Sequence, residues 1–253
     1  MNTTTGYVDV NGLHMYYEIH GEQGTPLVLL HGGVMTIDLT FAELIPALSR
    51  KHRVIAVEFQ AHGRTADIER DLSYPDLAAD VIALLDHLGI DRAHVLGHSM
   101  GGGVALELAV AHPGRVRSIV PVSASVRPDG AHPDLADPST YATSTRMPTA
   151  EDFAAMGEAY ARLSPHPDRF EQLPMRTMAT VEAWEGWSDA QLAAITAPVL
   201  IVLGDHDFTT TAHAAVMQEL IPGSRLAILP GTTHMQAPHR AELLLPMLDA
   251  FLD

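Results

Sequence analysis

The sequence contains no cysteine at all. Its absence excludes a disulfide framework and a thiol nucleophile, and it leaves the redox compartment undetermined. Cations are also scarce, since 15 Lys and Arg stand against 31 Asp and Glu for a formal net charge of −16. A field of that sign repels polyanions, so we expect a small-molecule substrate and neither nucleic acid nor an anionic membrane as a partner.

Long apolar runs are missing as well. No stretch approaches the roughly 18 residues that a membrane helix needs. The opening "MNTTTGYVDVNGLHMYY" lacks a basic region followed by an apolar one, so we expect a cytoplasmic protein. The apolar face of "ELLLPMLDAFL" can pack on the protein's own sheet or on a second subunit, which leaves both monomer and homodimer open.

The remaining composition favours one folded α/β domain of 253 residues with a small insertion. "YVDVNGLHMYYEI" alternates around Asn11-Gly12 and predicts a β-hairpin. Uniformly apolar runs follow, as in strands covered on both faces: "PLVLLHGG", "RVIAVEF", "AHVLGHS", "VRSIVPVSA", "PVLIVLGD" and "SRLAILPG". The segments between them read as helices: "FAELIPALSRKH", "YPDLAADVIALLDHLGI", "MGGGVALELAVAHP", "TAHAAVMQELIPG" and "RAELLLPMLDAFLD". This alternation predicts a mostly parallel central sheet with helices on both faces.

One interval interrupts the alternation. Residues 126–197 contain no strand-like run, but they contain helical fragments such as "AEDFAAMGEAYARL". We therefore predict a core made of residues 1–125 and 198–253, with 126–197 as a small helical cap. Met147, Trp184 and Trp187 are candidates to line an adaptable apolar substrate pocket. The alternative is that these side chains only join the cap to the core.

The stretch "LGHSMGG" places Ser99 between a strand and a helix. A nucleophile in such a turn needs strained backbone angles, and the small neighbours Gly97 and Gly101 permit them. The helix start also brings the backbone N–H of Met100 and the positive end of the helix dipole next to the serine oxygen. Ser99 is therefore the predicted nucleophile.

A serine hydroxyl needs a base, which is itself oriented by an acid. His234 in "GTTHMQAP" follows the last predicted strand, at the same sheet edge as Ser99, and is the candidate base. Asp205 and Asp207 both follow "PVLIVLG", and the residues alone leave open which of them is the acid. The glycine-rich "HGGVM" supplies the second oxyanion donor, which we assign to the N–H of Gly33.

These motifs resemble the α/β-hydrolase superfamily, in its esterase, haloperoxidase-like and C–C hydrolase branch. The matching pieces are "LLHGG", "EFQAHGRT", "GHSMGG", "GDHD" and "GTTHM". The resemblance implies Ser99, Asp207 and His234 as a catalytic triad, and it prefers Asp207 over Asp205. It also implies Gly33 and Met100 as backbone donors of an oxyanion hole. Serine at the elbow argues against the related dehalogenases and epoxide hydrolases, which carry aspartate there.

The sequence thus predicts a serine esterase that cleaves an uncharged, moderately apolar ester or lactone through an acyl-enzyme on Ser99. No metal or organic cofactor is required, because the histidines lack zinc-ligand spacing and "GHSMGGG" lacks the end of a phosphate loop. Cleavage of a C–C bond next to a ketone and perhydrolysis are alternatives with the same triad. A ligand receptor with little turnover is an alternative from another class.

Overall fold

The computed structural model describes residues 2–135, 137–141 and 143–252. Eight strands form one sheet: β1 Thr3–Val10, β2 Leu13–His20, β3 Thr25–Leu30, β4 His52–Val57, β5 Ala93–His98, β6 Val116–Val122, β7 Leu200–His206 and β8 Arg225–Thr233. The helices are α1 Ile37–Phe41, α2 Ile45–Leu48, α3 Tyr74–His87, α4 Met100–Ala111, α5 Ala150–Leu163, α6 Gln172–Ala183, α7 Asp189–Ala193, α8 Thr211–Leu220 and α9 Ala241–Leu252.

The strand order in the sheet is β1-β2-β4-β3-β5-β6-β7-β8. β2 pairs antiparallel with β1 and with β4, and the remaining neighbours are parallel. Asn11 and Gly12, at φ +50° and +83°, form the two-residue turn between β1 and β2, as the sequence predicts. The predicted mostly parallel α/β sheet is confirmed.

Helices cover both faces of the sheet, and the side chains of β3 pack against helices on both faces. Leu27 and Leu29 pack in a cluster with residues of α1, α2 and α9. Val28 and Leu30 point the opposite way, into a cluster with residues of α3, α4 and α8. Side chains alternate across a strand, so a strand buried on both faces must be apolar throughout.

One predicted helix was wrong. The segment "FAELIPALSRKH" is not a single helix, because α1 ends at Phe41 and α2 begins at Ile45. Pro46 lies in the first turn of α2. Proline has no N–H to donate to the preceding turn, so it suits a helix start and interrupts a helix interior.

Between β6 and β7 the described residues form only helices and turns, apart from two isolated bridges, one between Ala131 and Thr209 and one between Val199 and Ile119. Within this interval, Thr149 forms a capping box with Asp152 at the start of α5. A serine, Ser73, likewise caps α3 between β4 and β5. Trp187, close to the end of this interval, is a member of the main core cluster. The division into a core and a separate cap stays a prediction. None of the helices within the described ranges is long and apolar enough to cross a membrane.

Candidate active site

Four parallel strands carry the candidate residues to one edge of the sheet. Ser99 follows the last residue of β5, Asp207 that of β7 and His234 that of β8. Gly33 lies three residues after the end of β3. Ligands of open α/β sheets bind beyond the carboxyl ends of the strands, so this edge is where a site is expected.

Ser99 has strained backbone angles, with φ +52° and ψ −115° at the start of α4. A Cβ atom on Gly97 would lie 2.0 Å from the carbonyl oxygen of Gly101, and one on Gly101 would lie 2.1 Å from that of Leu30. Both positions therefore exclude any side chain. The strain costs on the order of 1–3 kcal/mol. The Ser99 side chain is half-buried and lies at the N-terminus of α4.

His234 and Asp207 are in direct contact. The Nδ1 atom of His234 lies 2.7 Å from Oδ1 of Asp207, and both side chains are buried. Because the carboxylate accepts, Nδ1 carries the proton and Nε2 is the nitrogen available as a base. Phe208 stacks on the imidazole, with ring centroids 3.9 Å apart and an angle of 12° between the planes. The ring is thus fixed in position and in tautomer.

Asp207 is held ionised by its neighbours. Its Oδ2 accepts from the Ser123 hydroxyl at 2.5 Å and from the Gly204 N–H at 3.2 Å. Burial raises the pKa of Asp207, but the nearby His234 and these donors outweigh burial and lower the pKa below its ordinary value. Asp205 has a different environment, since it accepts from the backbone N–H groups of Gly231 and Thr232.

His98 connects the Ser99 turn with the His234 loop. Its Nε2 donates to the backbone carbonyl of His234 at 3.0 Å, and the two imidazoles lie 5.0 Å apart. Burial, reinforced by the charge of His234, lowers the pKa of His98 well below its ordinary value, so the ring stays neutral. Within the described part of the chain, no hydrogen bond joins the Ser99 hydroxyl to His234. Such catalytic contacts are often long in the absence of substrate.

The loop after β3, residues 31–36, approaches the Ser99 turn closely. A Cβ atom on Gly32 would lie 3.4 Å from Cβ of Ser99. Among the described residues, the N–H of Gly33 has no hydrogen-bond acceptor, and Met100, as the first residue of α4, has none within its helix. We call residues 31–36 the oxyanion loop. In the part of the chain that the structure describes, the N–H of Gly33 in this loop and the N–H of Met100 at the start of α4 are thus both free to bind a developing negative charge.

The structure separates the candidate pocket residues. Trp187 is 4% exposed, and its Nε1 donates to Glu107 of α4 at 2.7 Å. Trp184 packs edge-on against Trp187 and Tyr74. These contacts favour the alternative in which the two indoles join residues 126–197 to the core. Met147 is half-buried. At the oxyanion loop the approaching residue is instead Thr177 of α6, whose Cγ2 leaves no room for a Cβ on Gly33.

Sequence reasoning missed Ser123, His98 and Phe208. Ser123 follows β6 directly, at the same sheet edge as the acid. A hydroxyl at this position is the sequence signal that could have indicated Ser123. For a metal site the structure offers no candidate, because no three His, Asp or Glu side chains within the described ranges gather closely enough.

The fold and the strained serine turn define an α/β protein of hydrolase type. A family profile described as alpha/beta hydrolase fold matches residues 25–169. The chain is also 30% identical to the putative carbamate hydrolase RutD of Azorhizobium caulinodans over 237 residues, which cover 87% of this chain and 88% of that protein. This chain belongs to the α/β hydrolase fold family.

Two further proteins are similar. The dihydrolipoyllysine-residue acetyltransferase component of the acetoin cleaving system of Pseudomonas putida is 45% identical over 105 residues, or 41% of this chain and 28% of that protein. This chain thus matches less than a third of that relative's length. The crystal structure of the enol-lactonase from Burkholderia xenovorans LB400 matches with a TM-score of 0.77 and 24% identity, covering 97% of this chain and 99% of that one. The latter likeness is one of fold.

Proposed function

We propose that the protein is a serine hydrolase that cleaves a carboxylic ester or lactone through an acyl-enzyme on Ser99. The observation that carries the proposal is the hydrogen bond between His234 and Asp207, next to the strained turn that presents Ser99. Family membership supports a hydrolase. A cytoplasmic location and an uncharged, moderately apolar substrate remain predictions from composition.

In the proposed reaction, Ser99 Oγ attacks the carbonyl carbon and its proton passes to Nε2 of His234. Asp207 stabilises the resulting imidazolium, and the carbonyl oxygen becomes an oxyanion bound by the N–H groups of Gly33 and Met100. The intermediate collapses when the C–O bond breaks, and His234 gives its proton to the leaving alcohol. Water then gives a proton to His234 and attacks the acyl carbon. The bond between that carbon and Ser99 Oγ breaks, and His234 returns the proton to Oγ, which releases the acid and restores Ser99.

The name of the relative from Azorhizobium caulinodans favours a second candidate, hydrolysis of a carbamate. A carbamate carbonyl is attacked in the same way, with an amine or an alcohol as the leaving group. Both candidates require Ser99, and they differ in the substrate that turns over fastest.

Replacing Ser99 by Ala tests the whole proposal. We expect hydrolysis of p-nitrophenyl acetate to fall by about 10⁴-fold or more, and we expect labelling by a fluorophosphonate probe to disappear. Ser139→Ala, which alters an exposed serine outside the site, should keep parent activity and labelling. Turnover by Ser99→Ala at the parent rate would show that the reaction occurs elsewhere.

A substrate panel then separates the candidates. Esters of graded acyl length, lactones and aryl carbamates should be compared by kcat/KM on the parent protein. Fastest turnover of an ester or lactone supports the first candidate, and fastest turnover of a carbamate supports the second. Binding of these compounds without steady-state release would instead indicate a receptor.

A further inference from the structure

Two buried histidines cross between the oxyanion loop and the loop after β4, residues 58–65, which we call the β4 loop. His31 of the oxyanion loop accepts the N–H of Phe59 at its Nε2, at 3.1 Å. His62 of the β4 loop accepts the N–H of Val34 at its Nε2, at 3.0 Å. The two imidazoles lie 5.0 Å apart. Each loop therefore supplies the acceptor for a backbone donor of the other.

The partners of the other two ring nitrogens fix the tautomers. Nδ1 of His31 lies 2.7 Å from the carbonyl oxygen of Gly32, and Nδ1 of His62 lies 2.8 Å from that of Gln60. Since a carbonyl oxygen only accepts, both Nδ1 atoms carry the proton and both Nε2 atoms keep a lone pair. Burial lowers the pKa of His31 well below its ordinary value and that of His62 to about 4. Both rings are therefore neutral near pH 7.

These hydrogen bonds act on the two peptide groups that flank Gly33. The carbonyl of Gly32 and the N–H of Gly33 belong to one planar peptide group and point in opposite directions. His31 donates to that carbonyl, which also accepts the N–H of Met35 at 3.2 Å, and the two bonds together fix the direction of the Gly33 N–H. The next peptide group contains the N–H of Val34, which His62 holds. Each of the two peptide planes beside the candidate donor thus has a histidine as a hydrogen-bond partner.

The held conformation is one that the chain would not adopt unaided. Val34 is β-branched and has a φ of +62°, a left-handed conformation that costs roughly 1–2 kcal/mol. Its side chain packs near Ala61 of the β4 loop and residues of α5 and α6, Tyr160 and Leu173. Both imidazoles are fully buried, and His62 is the acceptor for the Val34 N–H.

We propose that His31 and His62 are positioning residues that lock the two peptide planes around Gly33 and so aim its N–H at the substrate oxyanion. Neither side chain contacts the reacting atoms. The proposal rests on the serine hydrolase function proposed above, and it explains why this loop holds its shape without the bound charge.

Glutamine and asparagine substitutions of His62 form a matched pair of variants for the test. The side-chain oxygen of glutamine can occupy the place of Nε2, whereas asparagine is one methylene shorter and reaches only the place of Nδ1. We expect His62→Asn to lower kcat by about 10- to 100-fold with little change in KM, since removing an oxyanion donor outright costs about 10²- to 10³-fold. His62→Gln should stay within about fivefold of the parent.

A second readout separates positioning from general stability. A boronic acid inhibitor forms a tetrahedral adduct with the serine oxygen, and its affinity should fall in proportion to kcat/KM in His62→Asn and recover in His62→Gln. The same pair at position 31 repeats the test if a variant at position 62 does not fold. Equal kcat for the two folded amide variants would overturn the proposal. Absence of fluorophosphonate labelling at Ser99 in the parent protein would instead overturn the proposed function.

Discussion

The site uses histidine in two opposite ways. On the β7–β8 side, His234 donates Nδ1–H to a carboxylate, and Asp207 is held ionised for it. On the β3–β4 side, His31 and His62 donate Nδ1–H to backbone carbonyls and accept backbone N–H groups at Nε2. A carboxylate partner stabilises the imidazolium that a base must become, whereas a carbonyl partner in a buried place keeps the ring neutral. The partner therefore decides whether the same side chain is suited to transfer protons or to hold a loop.

The largest expected effect comes from disrupting the hydrogen bond between Asp207 and His234 on the β7–β8 side. Asp207→Asn leaves a neutral partner that cannot stabilise the imidazolium and that favours the wrong tautomer, so kcat should fall by about 10⁴-fold. Asp205→Asn is the matched control, because Asp205 binds backbone N–H groups and not His234. We expect its kcat to stay within about fivefold of the parent. Steady-state assays on a p-nitrophenyl ester measure both, and equal losses in the two variants would contradict the assignment of the acid.

A second expected effect concerns pH and the β3–β4 side. Glu58 of the β4 loop is fully buried and accepts from the backbone N–H and the guanidinium of Arg64. Burial raises the pKa of Glu58 from 4.5 to about 7, although Arg64 opposes the shift. The folded state then binds this proton more tightly than the unfolded state does, so the free energy of unfolding should fall as pH rises from about 4.5 to about 7.

Glu58→Gln should remove that fall, which amounts to as much as about 3 kcal/mol. Urea unfolding of the parent and the variant between about pH 5 and about pH 8 measures the difference in slope. Glu69→Gln, at an exposed position outside the β4 loop, should keep the parent slope. Parallel pH dependences of the parent and Glu58→Gln would show that Glu58 does not carry this proton.

The smallest expected effect relieves strain on the same side. Ala61 has a φ of +67°, which glycine adopts at no steric cost. Ala61→Gly should change the free energy of unfolding by less than about 0.5 kcal/mol, because the relief of strain offsets the loss of the buried methyl group in its contact with Val34. Ala155→Gly, in the exposed middle of α5, should lower it by about 1 kcal/mol. Denaturant unfolding compares the two variants, and an equal or larger loss of stability in Ala61→Gly would mean that the Ala61 backbone is not strained.

The sequence predicts the fold well because its signals are local. Uniformly apolar runs mark the strands, Asn11-Gly12 marks the hairpin, and the glycines around Ser99 mark a turn that no larger residue could form. The helix predicted over "FAELIPALSRKH" is wrong for a local reason too, because Pro46 lies in the first turn of a separate short helix.

The site is less predictable, since hydrogen-bond partners come from distant parts of the chain. Fifteen histidines look alike in sequence, and only contacts with Asp207, Phe59 or Val34 separate a candidate base from a loop brace. The Ser123 hydroxyl is 84 residues from the carboxylate it binds. No periodicity or spacing in the sequence predicts that hydrogen bond.

The position of Trp187 has a consequence for exchanging segments between hydrolases of this fold. Trp187, Leu192 and Ile195 belong to the main hydrophobic core cluster, although they lie in the helical interval before β7. A graft that replaced the chain up to residue 197 would remove these core side chains together with the helices of that interval. The downstream junction of such a graft therefore belongs before Trp184, where the two indoles begin their contact with Tyr74.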